Sequence, residues 1–81
     1  MRLPRDWDGD DLVRSLTRVG YVVVRQSGSH VRLTLQTRTQ EHHVTVPLHS
    51  PMRLGTLNHI LTDVAVHLEI SKDELIRRLL S

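Results

Sequence analysis

Apolar residues recur with helical spacing at the start of the chain. Leu12, Leu16 and Val19 follow one another at intervals of four and three residues, which places them on one face of a helix. Asp8 stands where a helix N-cap is expected, and Gly20 follows the last apolar position as a C-terminal stop signal. The pattern predicts an amphipathic first helix between these two residues.

The middle of the chain changes to a period of two, which is typical of strands. The segment Tyr21–Gln26 predicts the first strand, His30–Gln36 the second and His43–Leu48 the third. The polar segment Thr37–Gln40 has no apolar anchor and predicts a mobile hairpin loop. Because proline cannot donate a ladder hydrogen bond, Pro47 is expected at a strand end or a sheet edge.

Alternation separates the two faces of these strands. The apolar members of the second strand share the face that should be buried: Val31, Leu33 and Leu35. Its polar members share the face that should meet solvent: His30, Arg32 and Thr34. The third strand is expected to turn Val44, Val46 and Leu48 inward and His43, Thr45 and Pro47 outward, so His42 and His43 should point to opposite faces.

Two further helices complete the pattern. The second has Thr56 as its expected cap and an apolar side made of Leu57, Ile60, Leu61, Val64 and Leu68. Ser71-Lys72-Asp73-Glu74 has the form of a capping box and opens a short final helix with Leu75, Ile76 and Leu79 inward. The chain therefore predicts an α+β fold of the α-β-β-β-α kind, with helices on one face of a three-stranded antiparallel sheet.

Length and composition narrow the class of protein. The 81 residues are enough for one domain, which we expect to span residues 1–81. The sequence has no cysteine, which excludes a disulfide framework and a thiolate metal site and fits a cytoplasmic location. Its apolar runs are only a few residues long, so neither a membrane span nor a signal peptide is expected.

Charge is distributed unevenly along the chain. Between Leu12 and Thr62, six arginines stand against a single acidic residue, Glu41, which gives this section a net charge of +5. Arginine is suited to bidentate contact with phosphate, so a polyanionic partner such as RNA is the functional interpretation. The alternative is an arginine-rich surface without a dedicated partner.

The second strand opens with a chemically capable group. His30 follows the turn residues Gly28 and Ser29 and shares the solvent face with Arg32. An imidazole beside a guanidinium can move a proton and bind a phosphate. From these residues alone, an exposed turn histidine without a function is the favoured interpretation.

Several segments in order resemble the HicA toxins, the toxin half of HicAB type II toxin–antitoxin systems. These are Gly20-Tyr21-Val22, Arg25-Gln26-Ser27-Gly28-Ser29-His30, Val44-Thr45-Val46-Pro47-Leu48-His49, and Gly55-Thr56-Leu57 followed by Ile60-Leu61. The resemblance runs from about Leu12 to Leu68. Three segments depart from the family pattern. Gln36–Glu41 lacks the usual turn glycine, the acidic leader Met1–Asp8 contains a tryptophan, and Ser50–Leu54 differs from the usual stretch.

The resemblance implies a fold similar to the double-stranded-RNA-binding domain and the activity of an mRNA interferase, an endoribonuclease. It implies that the histidine of the family's Gly-Ser-His motif, here His30, is required for cleavage. It also implies a HicB-type antitoxin as the protein partner, with mRNA as the substrate.

Chemistry assigns the roles around His30. RNA supplies its own 2′-hydroxyl nucleophile, so His30 would act as general base or acid. Supporting roles fall to four residues: Gly28, Ser29, Arg32 and His49. Five arginines are expected to bind RNA phosphates: Arg14, Arg18, Arg25, Arg38 and Arg53.

Metal chemistry and strict base recognition are not expected. The histidines have no ligand-like spacing, and His59 and His67 are expected to be ordinary surface residues of the second helix. We therefore predict that the protein needs no cofactor and that its activity survives EDTA. With one tyrosine and one tryptophan, little stacking is available and sequence preference should be weak. Two other functions remain open: an RNA-binding module that does not cleave, and a domain that sequesters an antitoxin.

Overall fold

A computed structural model describes residues 6–80, and its elements follow the predicted order. They are α1 (Gly9–Arg18), β1 (Val22–Ser27), β2 (His30–Gln36), β3 (Glu41–Pro47), α2 (Leu54–Leu68) and α3 (Lys72–Leu80). The three strands form one antiparallel sheet in the order β1-β2-β3. The predicted α+β architecture is confirmed. The first five residues of the acidic leader lie outside the described part of the chain.

One face of the sheet is packed and the other is open. Val31 and Leu33 of β2 are buried beside Val46 and Val44 of β3, their partners in the strand register. They join a core that α1, α2 and α3 complete, including Leu12, Leu16, Leu57, Leu61, Val64, Leu75 and Leu79. The opposite face carries His30 and Arg32 in solvent, as the alternation predicted.

The edge strand β1 is less regular than its sequence suggested. Its pairing with β2 shifts between Val23, which pairs with Leu33, and Arg25, which pairs with Arg32, so that Val24 is an extra residue in a β-bulge. All six residues of β1 are exposed, including Val22 at 60% and Val24 at 55%. Tyr21 was predicted to begin this strand, but it precedes the strand and is buried in the core.

The first helix begins and ends where the sequence predicted. The Asp8 carboxylate accepts a hydrogen bond from the Asp11 N–H at 2.9 Å, and the Asp11 carboxylate accepts one from the Asp8 N–H at 3.0 Å. This reciprocal capping box satisfies two amides that the first turn would otherwise leave unpaired. Gly20, at φ 112°, follows the C-cap residue Val19 and lets the chain leave the helix.

The predicted cap of the second helix is wrong. Thr56 lies within α2, which begins two residues earlier at Leu54, and the N-cap is Arg53, whose side chain makes no capping hydrogen bond. Gly55 forms part of the first turn instead of preceding the helix. The cap of α3 is as predicted, because the Glu74 N–H donates to Ser71 Oγ at 3.0 Å.

The third strand begins two residues before its predicted start and ends at Pro47, so Leu48 lies beyond it. Pro47 is therefore the last residue of an edge strand, as predicted. The preceding segment Thr37–Gln40 is closed by hydrogen bonds: the Thr37 N–H donates to the Gln40 carbonyl at 2.8 Å and the Gln40 N–H to Thr37 Oγ1 at 3.1 Å.

At the Gln36–Glu41 end of the sheet, His42 of β3 contacts Tyr21, which precedes β1, and two residues of α2. Its Nδ1 lies 2.7 Å from Tyr21 Oη, and its Nε2 lies 3.2 Å from Asp63 Oδ2 on α2. His42 also stacks on His67, with ring centroids 4.3 Å apart and planes 14° from parallel. The prediction that His67 is an ordinary surface residue is therefore wrong, because helix α2 turns it against the inward ring of β3. His59 is exposed, as predicted.

Candidate functional site

Three segments meet at the opposite end of the sheet, where β2 begins. The Leu48 N–H donates to the Ser29 carbonyl at 2.6 Å, which joins the residues after β3 to the turn between β1 and β2. The Gly9 N–H donates to the His49 carbonyl at 3.0 Å, and the Met52 N–H donates to the Trp7 carbonyl at 3.0 Å. Backbone hydrogen bonds thus assemble the start of α1, the β1–β2 turn and the segment that leads into α2.

A two-residue turn carries the chain into His30. Gly28 has φ 59° and Ser29 does not share a positive φ, which is the arrangement of a type II′ hairpin turn. Glycine suits this position because other residues are strained at such an angle. A Cβ at Gly28 would meet no atom within 4 Å, so the turn is open to an approaching ligand.

His30 and two arginines share the open face beside this turn. His30 pairs with Ser27 on one side and Pro47 on the other, and Arg32 pairs with Arg25 of β1. All three side chains are in exposed residues. Within residues 6–80, none of the three side chains takes part in a hydrogen bond or an ion pair, so their polar atoms face solvent. The structure thus brings together a proton-transfer group and two fixed positive charges.

His49 belongs to the same end of the molecule. It follows Pro47, the partner of His30, by two residues, and its carbonyl is held by the Gly9 N–H. Its side chain is exposed. The backbone position of His49 is therefore fixed by long-range hydrogen bonds, while its imidazole is available to a ligand.

The structure does not bring all the predicted RNA-binding arginines to this site. Arg14 pairs with Asp11 on α1 at 2.6 Å, and Arg18 Nη1 lies 3.5 Å from the Leu79 carbonyl of α3. Both line a cleft of about 210 Å³ between α1 and α3, away from the open sheet face. Arg38 follows β2, at the far end of that strand from His30.

Arg53 and Arg25 remain with His30. Arg53 is the N-cap residue of α2 and lies four residues after His49, at the end where the three segments meet. Arg25 stands directly across from Arg32 in the sheet. The arginines that share the His30 end are therefore Arg25, Arg32 and Arg53.

Gly9 is a site-building residue that sequence reasoning missed. It is buried at the first position of α1, and a Cβ there would lie 2.5 Å from the Pro47 carbonyl oxygen and 2.7 Å from the Leu48 Cα. Only glycine permits this approach of α1 to the end of β3. The signal available was a glycine immediately after an N-cap aspartate, which by itself predicts no close contact.

Two features that would change the interpretation of the site, a metal cluster and a membrane-spanning helix, are absent from the described residues. Within residues 6–80, no three histidine or acidic side chains converge in an arrangement that could hold a metal ion. Over the same residues, no helix has the length and apolar character required to cross a bilayer.

Comparison with known proteins identifies the family. No curated protein and no solved structure matches the chain. The family model described as "HicA toxin of bacterial toxin-antitoxin" matches residues 9–66, which is well over half of the chain. The matched residues include α1, the whole sheet and most of α2, together with the Gly28–His30 turn and the His49 segment. The chain therefore belongs to the HicA toxin family of bacterial toxin–antitoxin systems.

Proposed function

We propose that this HicA-family chain is a metal-independent endoribonuclease that cleaves mRNA through acid–base catalysis by His30 and is neutralised by a HicB-type antitoxin. The observation that carries the proposal is the grouping on one open sheet face of an exposed His30 with Arg25 and Arg32. RNA cleavage requires a proton acceptor, a proton donor and positive charge near the phosphate, and this grouping offers those kinds of group.

The reaction is a transfer of the phosphoryl group within the RNA. The 2′-oxygen attacks the adjacent phosphorus while its proton passes to a base, and the bond from phosphorus to the 5′-oxygen breaks as that oxygen receives a proton from an acid. The products carry a 2′,3′-cyclic phosphate and a 5′-hydroxyl. His30 serves one of the two proton transfers, and His49 is the candidate for the other.

The arginines and the turn stabilise charge. Negative charge accumulates on the non-bridging phosphate oxygens as the fifth bond to phosphorus forms, and Arg32 lies on the same strand face as His30, two residues away. Arg25 adds a second guanidinium across the strand pair. Ser29 and the Gly28 amide offer hydrogen-bond donors at the open turn. Three of the predicted RNA-binding arginines lie outside this face and would contact RNA only beyond the cleavage site: Arg14, Arg18 and Arg38.

Single substitution tests the assignment. We expect His30→Ala to be harmless on induction and to lose cleavage of a labelled RNA in EDTA by about 10²–10⁴-fold, the usual contribution of a general acid or base. His59→Ala is the matched control, because His59 is an exposed histidine on α2 and should remain fully active. Co-expression of a HicB-type antitoxin should abolish the toxicity of the wild type and of His59→Ala.

Four outcomes would contradict the proposal. Equal cleavage by wild type and His30→Ala would exclude His30 as the catalytic residue. Binding of RNA without cleavage by either protein would favour a non-cleaving RNA-binding module, and antitoxin binding without RNA affinity would favour a sequestering domain. Loss of cleavage in EDTA with rescue by one divalent ion would contradict the metal-independent mechanism.

A further inference from the structure

The open sheet face continues beyond Arg32 into an apolar depression. Its volume is about 520 Å³, and its lining includes Val22, Val24, Thr34, Gln36, Glu41 and His43. The two valines are among the most exposed large apolar residues of the described chain, at 60% and 55%. Exposed apolar surface with a polar border is characteristic of a binding site.

His43 gives this depression a rigid flat surface. Its Nδ1 lies 2.7 Å from Thr34 Oγ1, and its Nε2 lies 3.4 Å from Glu41 Oε1. The Thr34 hydroxyl and Nδ1 share a hydrogen bond across the strand pair, while Nε2 makes only a close polar contact with the Glu41 carboxylate. The ring is thus restrained at Nδ1 while the residue remains exposed. Such a ring can stack on a planar ligand with little loss of side-chain entropy.

The depression is continuous with the proposed cleavage site. His30, Arg32 and Thr34 follow one another on the same face of β2, and each step of two residues covers about 6.6 Å. Val24 is the extra residue at the register shift and directly precedes Arg25, whose partner is Arg32, so the apolar lining adjoins the two arginines along the strands. A polyanion held by these arginines would have its neighbouring groups over the depression.

From this arrangement we propose that the depression is a base-binding subsite for single-stranded RNA, one or two nucleotides from the bond cleaved at His30. The inference rests on the proposed function in taking RNA as the ligand. A base would stack on the His43 ring and pack against Val22 and Val24, while the polar groups of Thr34 and Gln36 meet its edge. Because stacking tolerates every base, such a subsite depends on the presence of a base and is compatible with the expected weak sequence preference.

The positive charge of Arg25 and Arg32 favours RNA over a protein as the occupant of the depression. An apolar protein segment could cover the two valines, but the depression lies next along the strands to Arg25 and Arg32, which have no acidic partner within residues 6–80. Phosphates would neutralise these charges at the same time as a base enters the depression.

The subsite can be tested with a set of RNAs in which a single abasic nucleotide occupies each position in turn. His30→Ala protein, which should bind without cutting, is titrated by fluorescence anisotropy with short single-stranded RNAs that each lack one base. We expect one position to weaken binding about tenfold, in line with the free energy of stacking one base. Adding Val24→Ser or His43→Ala to this protein should remove that sensitivity. Val66→Ser is the matched control, since Val66 is a 70% exposed valine on α2.

Each result has a definite meaning. Equal affinity for every abasic RNA overturns the subsite, as does unchanged position dependence in both Val24→Ser and His43→Ala. If these variants bind RNA normally but lose a HicB-type antitoxin, the surface belongs to a protein partner and the proposal is wrong. If wild type cleaves RNA without dependence on any one base, only the subsite fails. If the base dependence of binding is found but wild type does not cleave, the subsite stands and the proposed function fails.

Discussion

Gly9→Ala places a single methyl group between the first helix and the third strand. The added Cβ would lie 2.5 Å from the Pro47 carbonyl oxygen and 2.7 Å from the Leu48 Cα. Both neighbours are backbone atoms, so no side-chain rotation relieves the contact. The start of α1 must move away from the end of β3, which weakens the hydrogen bond from the Gly9 N–H to the His49 carbonyl.

The magnitude follows from two opposing effects. Forcing an additional methyl into a packed contact costs about 1–3 kcal/mol. Replacing glycine by alanine in a helix returns up to about 1 kcal/mol, because alanine loses less backbone entropy on folding. We therefore expect a net loss of about 1–2 kcal/mol in the free energy of unfolding. In a domain of this size, each kcal/mol corresponds to a decrease of about 4–8 °C in Tm.

Gly55→Ala is the matched control, because Gly55 also lies in the first turn of a helix and a Cβ there would meet no atom within 4 Å. The same substitution should therefore stabilise the protein by up to about 1 kcal/mol at Gly55 and destabilise it at Gly9. Urea unfolding followed by circular dichroism measures both. A Gly9→Ala protein as stable as wild type would refute the close contact between α1 and the end of β3.

Three further predictions concern the core, the phenol and the first helix cap. Leu33→Ala should lower the free energy of unfolding by about 2–5 kcal/mol in urea melts, because Leu33 is fully buried at the centre of the sheet. Burial, with a smaller effect of the Asp63 charge, raises the pKa of Tyr21 from 10.0 to about 12. Ultraviolet titration of this sole tyrosine should measure the raised pKa, and Asp63→Asn should lower it. Since the folded pKa is the higher one, the associated stability is complete below pH 10 and is lost as the pH rises towards 12. The hydrogen bond from the Asp8 N–H is the main cause that lowers the pKa of Asp11. The contribution of Asp11 to the stability of the fold is therefore present above the unfolded value of 3.8 and is lost as the pH falls below it. Asp11→Asn should reduce this loss of Tm at acid pH in thermal melts.

Local patterns were sufficient for the features that depend on local physics. The alternation of β2 correctly separated Val31 and Leu33 from His30 and Arg32, because a pleated strand turns successive side chains to opposite faces. Asp8 was recognised as a cap because its carboxylate bonds an amide only three residues away. The predicted position of His30 on the open face required nothing beyond this periodicity.

Features that depend on distant segments were missed. The contact of Gly9 with Pro47 and Leu48 joins residues almost forty positions apart, and no local pattern of either segment contains it. The stack of His42 on His67 likewise arises from the packing of α2 against β3. Thr56 was mistaken for a cap because its side chain suits that position, whereas the helix in fact begins from Arg53 without a side-chain cap.

The division between packed and open faces separates the residues that stabilise this domain from those of the proposed site. The end of the molecule that presents His30 is assembled by backbone hydrogen bonds and by the close approach of Gly9, neither of which involves the imidazole. His30, Arg25 and Arg32 are exposed and contribute no packing to the core, so their replacement should leave the free energy of unfolding within about 0.5 kcal/mol of wild type. A loss of toxicity at these three residues can therefore be attributed to the site itself, whereas a loss at Gly9 or Leu33 must first be corrected for the fraction of folded protein.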